Sequence, residues 1–251
     1  MKYIYFDCYA GFDVQMALGS LIDMNSDATL AKSTALCLAY EATVLTETVK
    51  RQSMEANLVC FDFYYPEEQP IVEIIENCTL EDDIKSKLKL WYKLKSDGKT
   101  KDFHEEFREL VYAAACLSVI KEEECDAVYV SSVYQGSGVN TVDGSFSIIP
   151  SAHTELLAKM ADIHTAPHSI DKEILTPGGI ALLYVLEAKH MSPQAHNVIK
   201  SGYGAGNEEL SIPNITRCIL ADKEDTKEAN LNFEAMISEM YAEIGSLAKI
   251  K

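Results

Sequence analysis

The chain has 251 residues, and its 22 basic and 39 acidic side chains give a formal charge of −17. Hydrophobic residues make up 47% of it, which excludes disorder for most of the chain and is enough to build a packed core. A surface this acidic repels nucleic-acid phosphates and anionic lipids, so we expect neither nucleic acid nor a membrane as a partner.

The sequence also predicts the cellular compartment of the protein. No run of about 18 apolar residues is present, as a membrane span would need, and Asp7 falls too early for the apolar core of a signal peptide. The seven cysteines are scattered and form no Cys-x-x-Cys pair, which is typical of reduced thiols. We therefore expect a cytoplasmic protein.

Apolar periodicity and turn residues predict an alternation of strands and helices along the chain. The predicted strands lie at 3–7, 35–48, 54–65, 126–133, 196–203 and 214–221, and the predicted helices at 13–24, 84–94, 103–121, 151–160, 178–190 and 230–248. This order indicates an α/β (mixed α+β) fold, a single domain with a mixed sheet and flanking helices. We expect that domain to span 1–222, and the amphipathic helix within 223–251 to pack on it or on a partner, including a second copy in a homo-oligomer.

Charge is segregated in the middle of the chain. Residues 67–83 hold seven acids and no base, whereas 85–101 hold seven lysines and one acid, Asp97. The lysines are compatible with an anion site, but a solvated helix face with Glu81–Lys85 and Asp83–Lys87 pairs explains them more simply.

Acidic and glycine-rich clusters are the other candidates for chemistry. Glu105 and Glu109 lie four residues apart, on one face of a predicted helix, where two like charges destabilise the helix unless Arg108 or a metal lies between them. His104 beside them is compatible with a ligand role or with an exposed helix start. The glycines at 202, 204 and 206 are followed by acids and Pro213, so a tight turn or close helix packing is favoured over a dinucleotide loop.

Short blocks of sequence also follow the order and spacing of one known family. They are Tyr5-Phe6-Asp7-Cys8-Tyr9-Ala10-Gly11, Val49-Lys50-Arg51, Gly136-Ser137-Gly138, Thr176-Pro177 with Gly179, and Gly202-Tyr203-Gly204-Ala205-Gly206 with Ile212-Pro213-Asn214 and Arg217. Together they resemble the N-terminal domain of the nickel-insertion proteins of the lactate racemase nickel-pincer cofactor pathway.

The resemblance implies a function. The family inserts nickel into a pyridinium nucleotide that carries two thiocarboxylates, in a reaction driven by CTP. We therefore expect a protein that binds nickel, the nucleotide, or both, and that needs a separate domain for CTP and its divalent cation. Active in this way, the chain would be one component of a CTP-dependent nickel chelatase, a lyase.

Candidate site residues follow from the same comparison. The acids proposed for metal are Asp7, Glu105, Glu109 and Glu173, with His104 as a further candidate. The residues proposed for the nucleotide are Lys50, Gly202, Gly204, Gly206, Asn214 and Arg217. Glu105 and Glu109 fall on two family aspartates in the ungapped match, whereas matching Asp102-Phe103-His104-Glu105 to a His-Phe-His-Glu motif requires a deletion inside a helix.

The chain departs from the family in ways that leave alternatives open. Asp13-Val14-Gln15-Met16 stands where the family has Ser-Gly-Asp-Met, so that an amide replaces a carboxylate. The family's histidine-rich linker is missing, and the chain ends where the family continues into its second domain. One alternative is therefore an inactive paralogue that acts through protein–protein contacts, and another is an unrelated small-molecule enzyme.

Overall fold

The computed structural model describes residues 1–96, 102–142, 145–192 and 197–222. Eleven strands lie in this part of the chain: β1 Lys2–Asp7, β2 Ala42–Arg51, β3 Met54–Phe63, β4 Ala127–Val130, β5 Val133–Gln135, β6 Gly138–Val142, β7 Ser145–Ile149, β8 Thr165–Pro167, β9 Lys189–His190, β10 Asn197–Ala205 and β11 Ile215–Asp222. The same described residues hold seven helices: α1 Val14–Asn25, α2 Thr29–Leu36, α3 Ile71–Asn77, α4 Asp82–Lys95, α5 Phe103–Glu122, α6 Ala152–Met160 and α7 Pro177–Val185.

Seven of the strands form one mixed sheet in the order β2-β3-β10-β11-β1-β4-β9. Strand β1 lies antiparallel to β11 and parallel to β4, while β2 and β3 form a long antiparallel hairpin at one edge. The two remaining pairs, β5-β8 and β6-β7, are small separate sheets. The prediction of an α/β fold with a mixed sheet and flanking helices is confirmed.

Alternation along the strands gives the sheet two different faces. In β1, Ile4 and Phe6 join the main core with the helices. Tyr3 and Tyr5 point to the other face, where they pack with Ile219 of β11. Successive side chains of a strand point to opposite faces, so Asp7 belongs to the face of Tyr3 and Tyr5.

Helix α1 lies close against β10 because three glycines leave room for it. A Cβ on Gly204 would lie 1.9 Å from the carbonyl oxygen of Met16, and one on Gly202 would lie 2.2 Å from the backbone nitrogen of Met24. On the helix, a Cβ on Gly19 would lie 2.6 Å from the carbonyl oxygen of Asn57. These glycines therefore allow close helix–sheet packing, which is one of the two roles that the sequence predicted for the 202–206 segment.

The lysine-rich segment forms α4, and the expectation of a solvated face holds for most of it. Lys87 pairs with Asp83 at 3.7 Å, as predicted. Glu81 instead lies 2.6 Å from Lys121 on α5, and Lys85 donates to the carbonyl oxygen of Glu76. Lys95 is the exception, because it is buried at the end of the helix.

Some element predictions were wrong. The strand predicted at 35–48 begins only at Ala42, because residues 29–36 form α2. No strand was predicted at 138–149, where the hairpin β6-β7 lies, and α7 ends at Val185 rather than 190. The predicted terminal helix at 230–248 lies outside the described residues. None of the described helices is both long and apolar enough to cross a membrane.

Candidate functional site

An open cleft lies on the face of the sheet opposite α1, where three strands place three polar or aromatic residues side by side. Arg217 of β11 lies opposite Asp7 of β1 in one register and opposite Tyr203 of β10 in the other. The Arg217 Nη2 donates to Asp7 Oδ2 at 2.8 Å. We call this region, lined by Asp7, Tyr9, Met54, Tyr203, Pro213, Ile215 and Arg217 and about 290 Å³ in volume, the Asp7–Arg217 cleft.

The charged pair in the cleft remains open to solvent. The side chain of Arg217 is 40% exposed and that of Asp7 32% exposed, so their attraction is screened and contributes little to stability. Tyr9, in the turn after β1, is half exposed and packs its ring 5.1 Å from that of Tyr134. The cleft thus combines accessible aromatic surface with an arginine already oriented by a carboxylate.

A second polar group surrounds the start of α1 and extends between the helices. Asp13 caps α1, because its Oδ1 accepts the backbone N–H of Met16 at 2.7 Å. Burial raises the pKa of Asp13 to about 6; the N–H groups of Met16 and Gln15 oppose this shift, and the negative charge of Glu109 adds to it. We call Asp13, Gln15, Lys95, Glu109 and Asn207 the α1 cluster.

Lys95 and Glu109 neutralise each other inside this cluster. The Lys95 Nζ lies 2.5 Å from Glu109 Oε2, with the lysine side chain 1% exposed and the glutamate 28% exposed. The same ammonium lies 5.1 Å from the Trp91 ring centroid, and the Trp91 Nε1 donates to the carbonyl oxygen of Gly178 at the start of α7. The cation that Glu109 needs is therefore Lys95, while Arg108 donates to the Tyr65 hydroxyl.

The Gln15 amide, which the resemblance places where the family has a carboxylate, is fully bonded. Gln15 Nε2 donates to the carbonyl oxygen of Val59 at 2.7 Å and to Asn207 Oδ1 at 3.1 Å, and Asn207 Nδ2 donates back to Gln15 Oε1. Next to it, buried Arg51 donates to the carbonyl oxygens of Gly206 and Asn207. These bonds tie the loop after β10 to α1 and to the hairpin.

The acids proposed for metal lie in different surroundings. Glu105 is exposed on the first turn of α5. Glu173 accepts from the Thr154 hydroxyl at 2.6 Å and from the Ser151 backbone, so that it holds the start of α6. His104 is exposed and packs its ring 4.3 Å from that of Tyr65. No group of three or more His, Cys, Asp or Glu side chains in the described ranges is arranged to hold a metal, so the four acids do not form one such group.

The residues proposed for the nucleotide are also divided. Arg217 lines the cleft, while Lys50 is exposed on β2, opposite Glu55 of β3. Asn214 is buried, and its Nδ2 donates to the carbonyl oxygen of Glu208. It lies against Gly206, whose N–H donates to the Asn214 carbonyl. Asn214 and Gly206 therefore shape the loop beside the cleft.

Sequence reasoning missed Tyr9, Tyr203 and Lys95. Tyr9 and Tyr203 stood inside the blocks that carried the family resemblance, next to Asp7 and between two glycines, and an aromatic residue beside a candidate charge was the available signal. Lys95 stood among six other lysines, and nothing in the local pattern distinguishes the one that α5 and α7 bury.

Comparisons with known proteins identify the family of the chain. The family model described as nickel insertion protein matches residues 4–248. The chain is 26% identical to a putative nickel insertion protein of Dictyoglomus thermophilum, over 97% of this chain and 67% of that protein. It is likewise 26% identical to a pyridinium-3,5-bisthiocarboxylic acid mononucleotide nickel insertion protein of Acetivibrio thermocellus, with the same coverage.

A third relative, the protein of that same description from Clostridium kluyveri, is 27% identical over the whole of this chain and 73% of its own length. The chain thus spans about two thirds of the length of the curated relatives it matches. No solved structure matches. Because the family model covers almost all of its sequence, this chain belongs to the nickel insertion protein family.

Proposed function

We propose that the chain binds the pyridinium-3,5-bisthiocarboxylic acid mononucleotide in the Asp7–Arg217 cleft and takes part in inserting nickel into it. The observation that carries the proposal is the row of Tyr203, Arg217 and Asp7 across three adjacent strands. The names of the relatives supply the identity of the ligand, and the cleft supplies groups that suit it.

The chemistry of the nucleotide fits these groups. A pyridinium ring is flat and positively charged, and such cations are attracted to the faces of tyrosine rings such as those of Tyr9 and Tyr203. Phosphate and thiocarboxylate are anions, and a guanidinium binds such groups with two parallel hydrogen bonds. Asp7 orients Arg217 through one nitrogen, which leaves other N–H groups of this exposed side chain for the ligand.

Nickel enters this scheme as a substrate. Sulfur donors such as the two thiocarboxylates of the nucleotide are soft ligands that suit a borderline metal. Of the acids proposed for metal, Asp7 in the cleft and exposed Glu105 remain our proposed contacts for the ion during its delivery. Glu109 and Glu173 would first have to leave Lys95 and Thr154. CTP and a divalent cation would be handled by a separate domain that acts as the partner, so the chain alone would be a component of a CTP-dependent chelatase in the cytoplasm.

Calorimetric titration of the full chain with the mononucleotide tests the proposal. We expect saturable binding by the wild type and at least tenfold weaker binding by Arg217→Gln, because the anion loses a charged partner worth about 1.5–3 kcal/mol. Arg108→Gln is the matched control, an exposed arginine bonded to a tyrosine hydroxyl elsewhere. Absence of heat with the wild type at millimolar nucleotide would contradict the proposal.

The α1 cluster favours a second candidate, a paralogue that has lost the insertion reaction and acts through protein contacts. Its carboxylates have internal partners, since Asp13 caps α1 and Lys95 neutralises Glu109. The resemblance also places Gln15 where the family has a carboxylate. A nickel-insertion assay of the chain with the CTP-using domain of a relative separates the two candidates. Formation of the nickel-bound nucleotide excludes the paralogue, and nucleotide binding without insertion supports it.

A further inference from the structure

Two basic side chains are buried in the described part of the chain, and only one of them has a counter-charge. Lys95 is paired with Glu109. Arg51 is 7% exposed and takes part in none of the ion pairs among the described residues. Its donors meet neutral carbonyl oxygens instead, those of Lys50, Gly206 and Asn207. Because arginine stays charged in proteins, the hydrogen bonds of Arg51 are satisfied while its positive charge is not neutralised.

A buried charge without a counter-charge is costly, because the protein interior solvates it less well than water does. Two acids in the adjoining segments have other partners. Glu55 lies opposite Lys50 in the hairpin, and Glu208 in the loop after β10 pairs with Lys172. A neutral amide could donate to the same carbonyl oxygens at a smaller cost. An anion bound nearby would supply the counter-charge that Arg51 lacks.

Arg51 lies behind one wall of the Asp7–Arg217 cleft. It is opposite Met54 in the β2-β3 hairpin, and Met54 lines the cleft. Val49 is two residues earlier and therefore on the same face of β2 as Arg51. It packs against the cluster that contains Ile215, another residue of the cleft lining. The charge of Arg51 therefore acts on the cleft through protein, which screens it less than water would.

The charged residues that line the cleft cancel each other. Among the described residues of the lining, only Arg217 and Asp7 are charged, and they form an ion pair, so their formal charges sum to zero. The chain as a whole carries −17, which repels an anion at a distance. Net positive charge at the cleft therefore has to come from behind the lining, where Arg51 is buried.

We propose that Arg51 makes the cleft selective for ligands that carry a phosphate, through its charge and not through a direct hydrogen bond. Its four hydrogen bonds to carbonyl oxygens occupy most of the five N–H groups of a guanidinium, so a ligand meets mainly its electric field. The attraction by a field grows with the charge of the ligand, and a phosphate carries about −1.5 to −2 at neutral pH. This role rests on the proposed function, which supplies a ligand with a phosphate.

Calorimetric titration of the full chain with the mononucleotide, and with the corresponding nucleoside that lacks only the phosphate, tests this role. We expect the wild type to prefer the mononucleotide by at least about tenfold, and we expect Arg51→Gln to remove most of that preference. Arg51→Lys should keep most of it, because lysine keeps the charge while losing the planar fork. Lys200→Met is the matched control, since it makes the same change in net charge at an exposed lysine that donates to Asn25 at the end of α1.

A merely structural role of Arg51 predicts a different pattern. If Arg51 only held the 206–207 loop, its glutamine and lysine variants would both weaken the binding of nucleoside and mononucleotide alike, and that result would overturn the proposal. Equal binding of the two ligands by the wild type would overturn it as well. Arg51→Met, which is also uncharged and fills a similar apolar volume, takes the place of Arg51→Gln if urea denaturation shows that the glutamine variant does not fold.

Titration of the same variants with inorganic pyrophosphate separates this role from the proposed function. If the mononucleotide binds through Arg217 and its preference over the nucleoside does not depend on the charge of Arg51, the selectivity role is wrong and the proposed function stands. If pyrophosphate binds the wild type and is lost in Arg51→Gln while the mononucleotide does not bind, phosphate selectivity stands and the proposed function is wrong. If the wild type binds neither, both are wrong.

Discussion

The α1 cluster and the Asp7–Arg217 cleft lie on opposite faces of one sheet and use their charges in opposite ways. In the α1 cluster, Lys95 is buried against Glu109, and both the nitrogen and the oxygen of the Gln15 amide are hydrogen-bonded. In the cleft, Arg217 and Asp7 keep 40% and 32% of their side-chain surface in contact with solvent. Internal partners make a polar group structural, whereas an exposed and oriented charge remains free to bind a ligand.

The two faces of the sheet also give different roles to neighbouring residues of the 202–206 segment. Gly202 and Gly204 stand in the same block as Tyr203, yet the space beside each glycine is filled by α1 backbone. Tyr203 points away from α1, to the face that holds Arg217 and Asp7. One strand therefore contributes packing residues to one side and candidate ligand contacts to the other, which is a consequence of side-chain alternation.

The largest expected effect tests the packing side. Gly204→Ala should lower the free energy of unfolding by about 3 kcal/mol or more, because its Cβ would overlap helix backbone that cannot move like a side chain. Urea denaturation measures the change, and Ser201→Ala, at an exposed position of the same strand, is the control expected to stay within about 0.5 kcal/mol. Equal stability of the two variants would mean that α1 does not depend on the glycine.

The next effect tests the internal ion pair. Glu109→Gln should lower the free energy of unfolding by about 2–3 kcal/mol, because it leaves the buried ammonium of Lys95 without its counter-charge. Glu105→Gln, one turn earlier and exposed, should change it by less than about 0.5 kcal/mol. Combining Glu109→Gln with Lys95→Met should recover much of the loss, and a double variant as unstable as the single one would argue against the pair.

A smaller effect concerns pH. The pKa of Asp13 is raised to about 6, above its ordinary value near 4, so the folded chain binds this proton more tightly than the unfolded chain. Stability from this group is therefore present at low pH and lost as pH rises from about 4 to about 7. Asp13→Asn keeps the helix cap, since Asn caps as well as Asp, and should remove that dependence.

At pH 7, we therefore expect Asp13→Asn to be more stable than the wild type by about 1–2 kcal/mol, allowing for the partial exposure of the residue. Subtracting the variant's unfolding free energy from that of the wild type at each pH isolates the contribution of this carboxyl. A difference that stays flat between pH 4 and 7 would show that Asp13 titrates as it does in the unfolded chain.

Much of the fold could be predicted from local pattern. Helices α1, α4 and α5 have apolar stripes at helical spacing, and β3 and β11 are strongly apolar strands, so their positions were found within a few residues. Helix α2 was missed because its eight residues include only four apolar ones and no side-chain cap marks its start. The hairpin β6-β7 was missed because its apolar residues Phe146 and Ile148 are exposed. Its sequence therefore lacks the alternation of core-facing apolar and solvent-facing polar residues that marks a half-buried strand.

The sites were less predictable because they depend on pairs far apart in the chain. Asp7 and Arg217 were both candidates, but only the β1-β11 register places them opposite each other. Gln15 and Asn207 are 192 residues apart, and their amide pair follows from α1 lying on β10. Sequence identifies residue types, whereas sheet order decides which of them meet.

The most direct test of the central claim compares nucleotide binding by one variant from each region. Titrated with the pyridinium mononucleotide, Arg217→Gln should bind at least tenfold more weakly than the wild type, with a change in stability below about 1 kcal/mol. Asp13→Asn should bind as the wild type does, because its carboxyl serves the start of α1 rather than the cleft. The reverse result, with binding lost in Asp13→Asn and retained in Arg217→Gln, would contradict the account and place the ligand at the α1 cluster.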